Sequence, residues 1–460
     1  MRAATAVAGL FALASCNVLD VDNPNNVVEE SLNSPTAAAA LATGVAASVT
    51  RALTAAYAPY GASTDEFAWV GSREGYKIND DGNVADQTNE FVDAAFPYVA
   101  EARFMADDAI ARLEGWDTEK TLVNRADLAR TYLYGAIIYV TIADMFDDFV
   151  IASVKTNTAD PVGETQMNTL YDKAITMLDK GIVIATAVSN ATLRAQLTGM
   201  RARAKFSKAA WGKVNPIGQV NTANPLVNDA GADADAAAAL TLMTGDFRYT
   251  MTPAVGGNTG FPIVGNDLNN RLELRAGDYS RDQALCRDAT CDRYVFPTAA
   301  GNTITGVKYQ DPVTKIVDPV LSAAVTLCCI KGTQNTNGDY VPLTQVSARE
   351  MYLIRAEAAL AQGNTTAFTT FINQLRALNS TLTPYAGTTQ AEHLAILQHS
   401  RFVNLYNQGR RLTDMYRFGL TSQRWANNGD AVRKPGCFFP IPAIERLSND
   451  KITVQPLCRA

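Results

Sequence analysis

The side chains that could do chemistry here are aromatic, acidic and guanidinium groups. Only two histidines occur, His393 and His399. On a helix that spacing turns them to different faces, which argues against a metal pair. The sequence holds no GxSxG elbow, P-loop, GxGxxG or HExxH motif. Asn79-Asp80-Asp81-Gly82 has the opening of an EF-hand loop, but Thr88 stands where the closing glutamate belongs. The neighbours Asp80-Asp81 and Asp147-Asp148 would point apart on a helix or strand, poor geometry for a glycosidase dyad. They read as acidic turns. No catalytic residue, metal or cofactor is expected.

What remains is the chemistry of binding. Sugars are held by aromatic faces stacked on their C–H surfaces, with paired polar groups fixing the hydroxyls, and peptides want similar edges. One stretch supplies these types together: Asp65, Glu66, Trp69, Arg73 and Tyr76. These five are the candidate ligand-binding residues. Arg271, Tyr279 and Tyr309 are further candidates from the middle of the chain.

Charge and cysteine usage bound the setting. The formal net charge is −6 over 460 residues, with no Lys/Arg run, so nothing offers a basic field to nucleic acid. Arg2 precedes an apolar run, Ala6 to Ala14, too short to span a bilayer but suited to a secretory leader. The run ends in Leu13-Ala14-Ser15-Cys16, small residues before a cysteine, the pattern of a lipobox. Residues 1–15 are expected to be a lipoprotein signal peptide, and Cys16 the lipidated residue that anchors the chain to a membrane. Six further cysteines suggest disulfides in an exported protein. Cys286 with Cys291 would close a short loop, and Cys437 with Cys458 would clip the C-terminal tail. A Cys328–Cys329 bridge is sterically awkward, so those two pair elsewhere or stay reduced.

The elements that must position these residues are mostly helices. Residues 16–35, acidic and with two prolines, read as a tether. From Thr36 the chain is alanine-rich and helical to about Tyr57, with a looser stretch from Ala58 to Asn89. Apolar residues three or four apart predict helices over Arg125 to Asp144, Leu170 to Ala185 and Leu193 to Lys213. Residues 216–344 are rich in Gly, Asn, Asp, Thr and Pro. They predict an irregular region in which runs such as Gly260 to Val264 form strands or hairpins. Ser347 to Ser380 predicts a helical hairpin: a capping box at Ser347-Ala348-Arg349-Glu350, a helix lined by Met351, Ile354, Ala358 and Ala361, a C-cap at Gly363, then a helix presenting Phe368, Phe371, Ile372 and Leu375. Such hairpins bury their faces by stacking. The expected fold is mainly α, a tetratricopeptide-like helical-repeat scaffold (about 36–215 and 345–420) with a loop-rich, partly β central insertion and a tail over 421–460. Residues 36–460 form one domain.

Three segments in this order resemble the SusD/RagB family: Arg349-Glu350-Met351-Tyr352-Leu353-Ile354-Arg355-Ala356-Glu357-Ala358 with Asn373-Gln374-Leu375-Arg376; Arg401 followed by Gly409-Arg410-Arg411-Leu412-Thr413-Asp414-Met415-Tyr416-Arg417; and Phe439-Pro440-Ile441-Pro442. The family usually carries glutamates where this chain has Asn404 and Gln408, and Gly-Asp-x-Pro where it has Asp147-Asp148-Phe149-Val150. Arg411, Asp414 and Arg417 read as scaffold. The resemblance implies a cell-surface lipoprotein of the outer membrane that performs no chemistry. It would bind an oligosaccharide or peptide and work with a SusC-like TonB-dependent transporter. Two alternatives are a helical-repeat assembly lipoprotein that binds protein partners, and a surface glycoside hydrolase.

Overall fold

The computed structural model describes residues 32–153, 158–253, 263–269, 271, 273–277, 310–329 and 340–459. Alanine-rich sequence gives α1, Ala38–Ala62. Every residue from Ala52 to Ala62 is buried, which makes this the central core helix. A short strand β1, Phe67–Trp69, and α2, Glu74–Asp80, follow. Asn89 then accepts from the backbone of Phe91 and Val92 and starts α3, Glu90–Thr118. Asn124 caps α4, Arg125–Met145, in the same way. Next come α5, Thr169–Ala187, and α6, Ala191–Val214, joined by a turn with Ser189 at φ 55° and capped by Asn190. The predicted helices of this half therefore form, and α1 runs on past Tyr57. Helices α1, α3, α4, α5 and α6 pack on one another, each burying its apolar stripe against the next.

The central region holds more helix than its composition predicts. Asp229 caps α7, Ala230–Leu240, whose small alanines pack closely on α6. Strand β2, Arg248–Met251, follows. Where Gly260 to Val264 reads as strand or hairpin, the described chain resumes as helix α8, Ile263–Asn269. Then come β3, Leu274–Ala276, and α9, Pro319–Cys329. The sheets are two antiparallel pairs. β3 pairs with β1, Trp69 opposite Leu274. β2 pairs with β4, Leu343–Ser347, Arg248 opposite Ser347, with an irregularity between Tyr249 and Thr250.

β4 runs directly into α10, Ala348–Ala361. Only half of the expected capping box forms: Ser347 accepts from the Glu350 backbone at 3.1 Å, but the Glu350 carboxylate turns inward to Arg410. An ion pair with a buried arginine outweighs one more cap hydrogen bond. Gly363 ends the helix region at φ 73°, and Asn364 caps α11, Thr365–Arg376. A full capping box, Thr389 with Glu392, starts α12, Gln390–Asn404. Helix α13, Arg411–Phe418, stops at Gly419 in the left-handed region. The short α14, Asp430–Arg433, and α15, Ala443–Ser448, complete the chain. The Cys437–Cys458 disulfide is present and clips the tail, with Cα atoms 5.9 Å apart. Cys328 is also disulfide-bonded. Cys16, Cys286, Cys291, Tyr279 and Tyr309 lie outside the described residues.

Candidate functional site

Five elements converge on a cleft of roughly 450 Å³. Asp246 and Arg248 lie at the start of β2, and Thr344 on β4. Arg349 lies in the first turn of α10, and Val320, Ala323, Ala324 and Leu327 on α9. The segment after α12 supplies Asn404, Tyr406, Asn407 and Gln408. The local backbone explains why that last segment can line a cleft. Asn407 sits at φ 54° and Gly409 at φ 74°, so the chain turns sharply between two helices. Asparagine tolerates that conformation. Gly409's φ strains any L side chain, which favours glycine at this turn, and a Cβ there would also press on the Met145 methyl, 2.6 Å away.

The five sequence-predicted residues divide by exposure. Asp65, Glu66 and Tyr76 are buried, at 2%, 1% and 0% exposure, and Trp69 and Arg73 are half-buried. Asp65 takes both ends of the Arg411 guanidinium, at 2.6 and 2.7 Å. Tyr76 stacks on Phe91 and donates its hydroxyl to Asp267. Arg73 lies over the Phe91 ring, and its backbone N–H is held by Glu273. Trp69 is fixed through its backbone, donating to Asp80 and accepting from Arg424. Its indole nitrogen is buried with no partner among the described residues. Arg271 is exposed, 3.9 Å from Asp267.

Glu66 links this loop to the cleft. Its carboxylate accepts the backbone N–H of Asn407 at 2.8 Å, and its carbonyl accepts the Tyr406 hydroxyl at 2.7 Å. Burial pushes its carboxyl up to about 8; the Asn407 hydrogen bond opposes this and the Asp65 charge adds to it. Glu66 is thus a support behind the cleft wall, holding two lining residues from behind.

The cleft is carboxamide-rich. Asn404 accepts from Arg349 at 2.6 Å and donates to the Ser400 carbonyl. Gln408 donates to the Asn404 carbonyl at 2.9 Å, while its own Oε1 is buried with no partner among the described residues. The one carboxylate lining the cleft among the described residues, Asp246, accepts from Arg349 at 2.7 and 2.9 Å and from Arg248 at 3.1 Å. Burial raises its carboxyl, but the hydrogen bonds and charges of Arg349 and then Arg248 win and hold it below the usual carboxylate range.

The other acidic and histidine groups are engaged as structure. Asp80 pairs with Arg424, and Asp81 with Lys77. Asp147 is buried and accepts from the Phe438 backbone, and Asp148 accepts from Phe149 and Gly163. His393 bonds Tyr385 and His399 bonds Asp318, so the two histidines have separate partners. Asp311 and Asp318 approach His399, but Arg376 already takes both oxygens of Asp311 and Asp318 caps α9. Behind the cleft, Arg410 pairs with Glu350, and Arg417 and Arg401 share Glu357 and Asp414. These pairs confirm Arg411, Asp414 and Arg417 as scaffold.

The stretch that builds one wall of the cleft and the arginine network behind it is also the stretch with recognisable relatives. A family model described as the SusD family matches residues 348–434. Over the whole fold, a SusD superfamily protein of Bacteroides thetaiotaomicron superposes with a TM-score of 0.61 at 12% identity, covering 92% of this chain and 100% of that one. Residues 348–434 thus match the SusD family, and the chain shares the SusD superfamily fold. A SusD superfamily protein of Bacteroides fragilis gives 0.59 at 12% identity, over 92% of this chain and 99% of that one. A SusD-like carbohydrate binding protein of Bacteroides vulgatus gives 0.51 at 12% identity, over 85% and 84%. At such identities the solved structures speak for the fold alone. Comparison with curated proteins gives no match. Within the SusD/RagB match, the departures Asn404 and Gln408 both stand in the cleft wall.

Proposed function

We propose that this protein is a cell-surface lipoprotein that captures an oligosaccharide and hands it to a TonB-dependent outer-membrane transporter. The observation that carries the reading is the cleft, whose lining pairs fixed carboxamides and a guanidinium with an aliphatic wall. Carboxamides that donate and accept side by side suit vicinal hydroxyls, and the apolar wall suits the C–H face of a sugar ring. The carbohydrate-binding description of one structural neighbour supports the same class. Among the described residues the cleft has one carboxylate, held ionised between two arginines. Glycoside hydrolysis asks for a pair of carboxyl groups with separated roles. Capture without turnover is therefore the reading the geometry supports. Cys16, at the end of a leader-like run, supplies the lipid anchor.

The test is a binding screen of the chain from Asn17 onward against oligosaccharide and peptide panels. Calorimetry reads binding, and chromatography of every sample reads products. Saturable binding of an oligosaccharide and no products is expected. Products in any sample would sink the capture reading, and silence across both panels would sink the nutrient reading.

A further inference from the structure

The cleft's charge and the set of hydrogen-bonding groups left unspent narrow the kind of saccharide it fits, given the capture reading above. Among its lining residues, two guanidiniums, Arg248 and Arg349, face one carboxylate, Asp246. Each nitrogen of Arg349 is engaged: Nε and Nη2 donate to Asp246, and Nη1 donates to Asn404 at 2.6 Å. Arg248 gives one N–H to an Asp246 oxygen that already accepts from Arg349. Its side chain is 36% exposed, and Asp246 is its one partner among the described residues. Among the described lining residues one unit of positive charge is left over, on a planar fork of donors.

Three carboxamide groups are also left with capacity. Gln408 Oε1 is buried without a partner among the described residues. The Asn407 side chain has no partner among the described residues, while its backbone is locked by Glu66. Asn379 uses its oxygen on Thr381 and keeps its two N–H donors. Among the described residues, the lining offers little of the aromatic surface that usually dominates neutral-sugar binding. Tyr406 is 6% exposed, and its hydroxyl is spent on the Glu66 carbonyl. The facing wall on α9 is aliphatic. Affinity here must come from charge-assisted and amide hydrogen bonds, not from ring stacking.

We infer that the cleft takes a carboxylate-bearing, uronic-acid type of oligosaccharide, with the carboxylate on Arg248 and the adjacent hydroxyls on the carboxamides of Asn407 and Gln408. A guanidinium matches the planar carboxylate with two parallel hydrogen bonds, roughly twice as strong as neutral ones. The partly exposed position of Arg248 makes the interaction sensitive to salt.

The test uses three probes of equal length: an oligogalacturonate, its methyl ester and a neutral galactose oligomer. Binding is measured by calorimetry to the full mature chain at low and high salt. The acid is expected to bind at least about tenfold more tightly than the ester, with the gap shrinking as salt rises. Arg248→Gln, with an unchanged melting temperature, should close the gap by weakening the acid alone, and Asn407→Gly, which keeps the left-handed backbone, should weaken every probe that binds. Equal binding of acid and ester, or a gap that survives Arg248→Gln, overturns the charge assignment and leaves the capture reading standing. No binding of the acid overturns it as well. If the wider oligosaccharide and peptide panels are then also silent, the capture reading falls with it.

Discussion

A buried carboxyl that stays neutral is cheaper than a buried carboxylate, and Glu66 is placed to show the difference. Burial raises its carboxyl to about 8, against an ordinary value of 4.5. The folded state therefore holds a proton that the unfolded chain releases above pH 4.5. The sign follows: the stability associated with the neutral form is fully present below the unfolded value and is lost as pH rises through about 8. Between pH 5 and 7 the loss should run at roughly 1 kcal/mol per pH unit. Glu66→Gln keeps the oxygen that accepts from Asn407 and removes the proton. Urea midpoints of the two proteins, compared from pH 5 to 9, should diverge with the variant flatter. Parallel curves would mean that Glu66 titrates normally and does not constrain the cleft wall electrostatically.

At the scale of elements, legibility followed periodicity and local chemistry. Helices α4, α5, α6, α10 and α11 could be read because their apolar residues recur at three and four and their ends carry Asn caps, a Ser cap or a glycine at positive φ. Helices α7 and α9 could not. The first is alanine on every side and the second is apolar on every side, so neither has a polar face to set a period. The site was less legible still. The 65–76 loop has the right residue types, but Asp65 and Glu66 find their partners more than three hundred residues away, at Arg411 and Asn407. No local pattern shows that pairing, and it turns candidate ligand contacts into supports. The cleft itself is assembled from β2, α9, β4 and the turn after α12, each too short to carry a motif. The tail shows the opposite case, where cysteine spacing alone gave the Cys437–Cys458 clip. Closing a loop of 21 residues should stabilise the fold by about 3 kcal/mol. A Cys437→Ala/Cys458→Ala double variant should show that loss in denaturant unfolding. It should also show faster amide exchange at Leu457, whose N–H rests on Glu164. Unchanged exchange would mean that the remaining contacts, such as Asn449 to the Ala159 carbonyl, hold the tail unaided.

For the whole molecule, the proposed anchor and the proposed binding cleft are mechanically separate, and that separation can be tested. Cys16 precedes the described body by sixteen positions, a stretch that spans at most roughly 55 Å when extended. The cleft is held from inside the body by Glu66 and by the buried arginine network. Loss of the anchor should therefore leave recognition intact, and loss of recognition should leave anchoring intact. Cys16→Ser is expected to abolish incorporation of labelled fatty acid and to move the protein out of the membrane fraction, with the affinity of the purified protein unchanged. Asn407→Gly is expected to do the reverse: full labelling and membrane retention, weakened binding. Cells limited by the captured saccharide should grow poorly with either variant, for different reasons, if delivery to a transporter needs both capture and tethering at the surface. Growth unaffected by Cys16→Ser would show that capture alone suffices and would remove the anchor from the delivery step. Persistence of the serine variant in the membrane fraction without label would assign membrane attachment to a protein partner instead of a lipid.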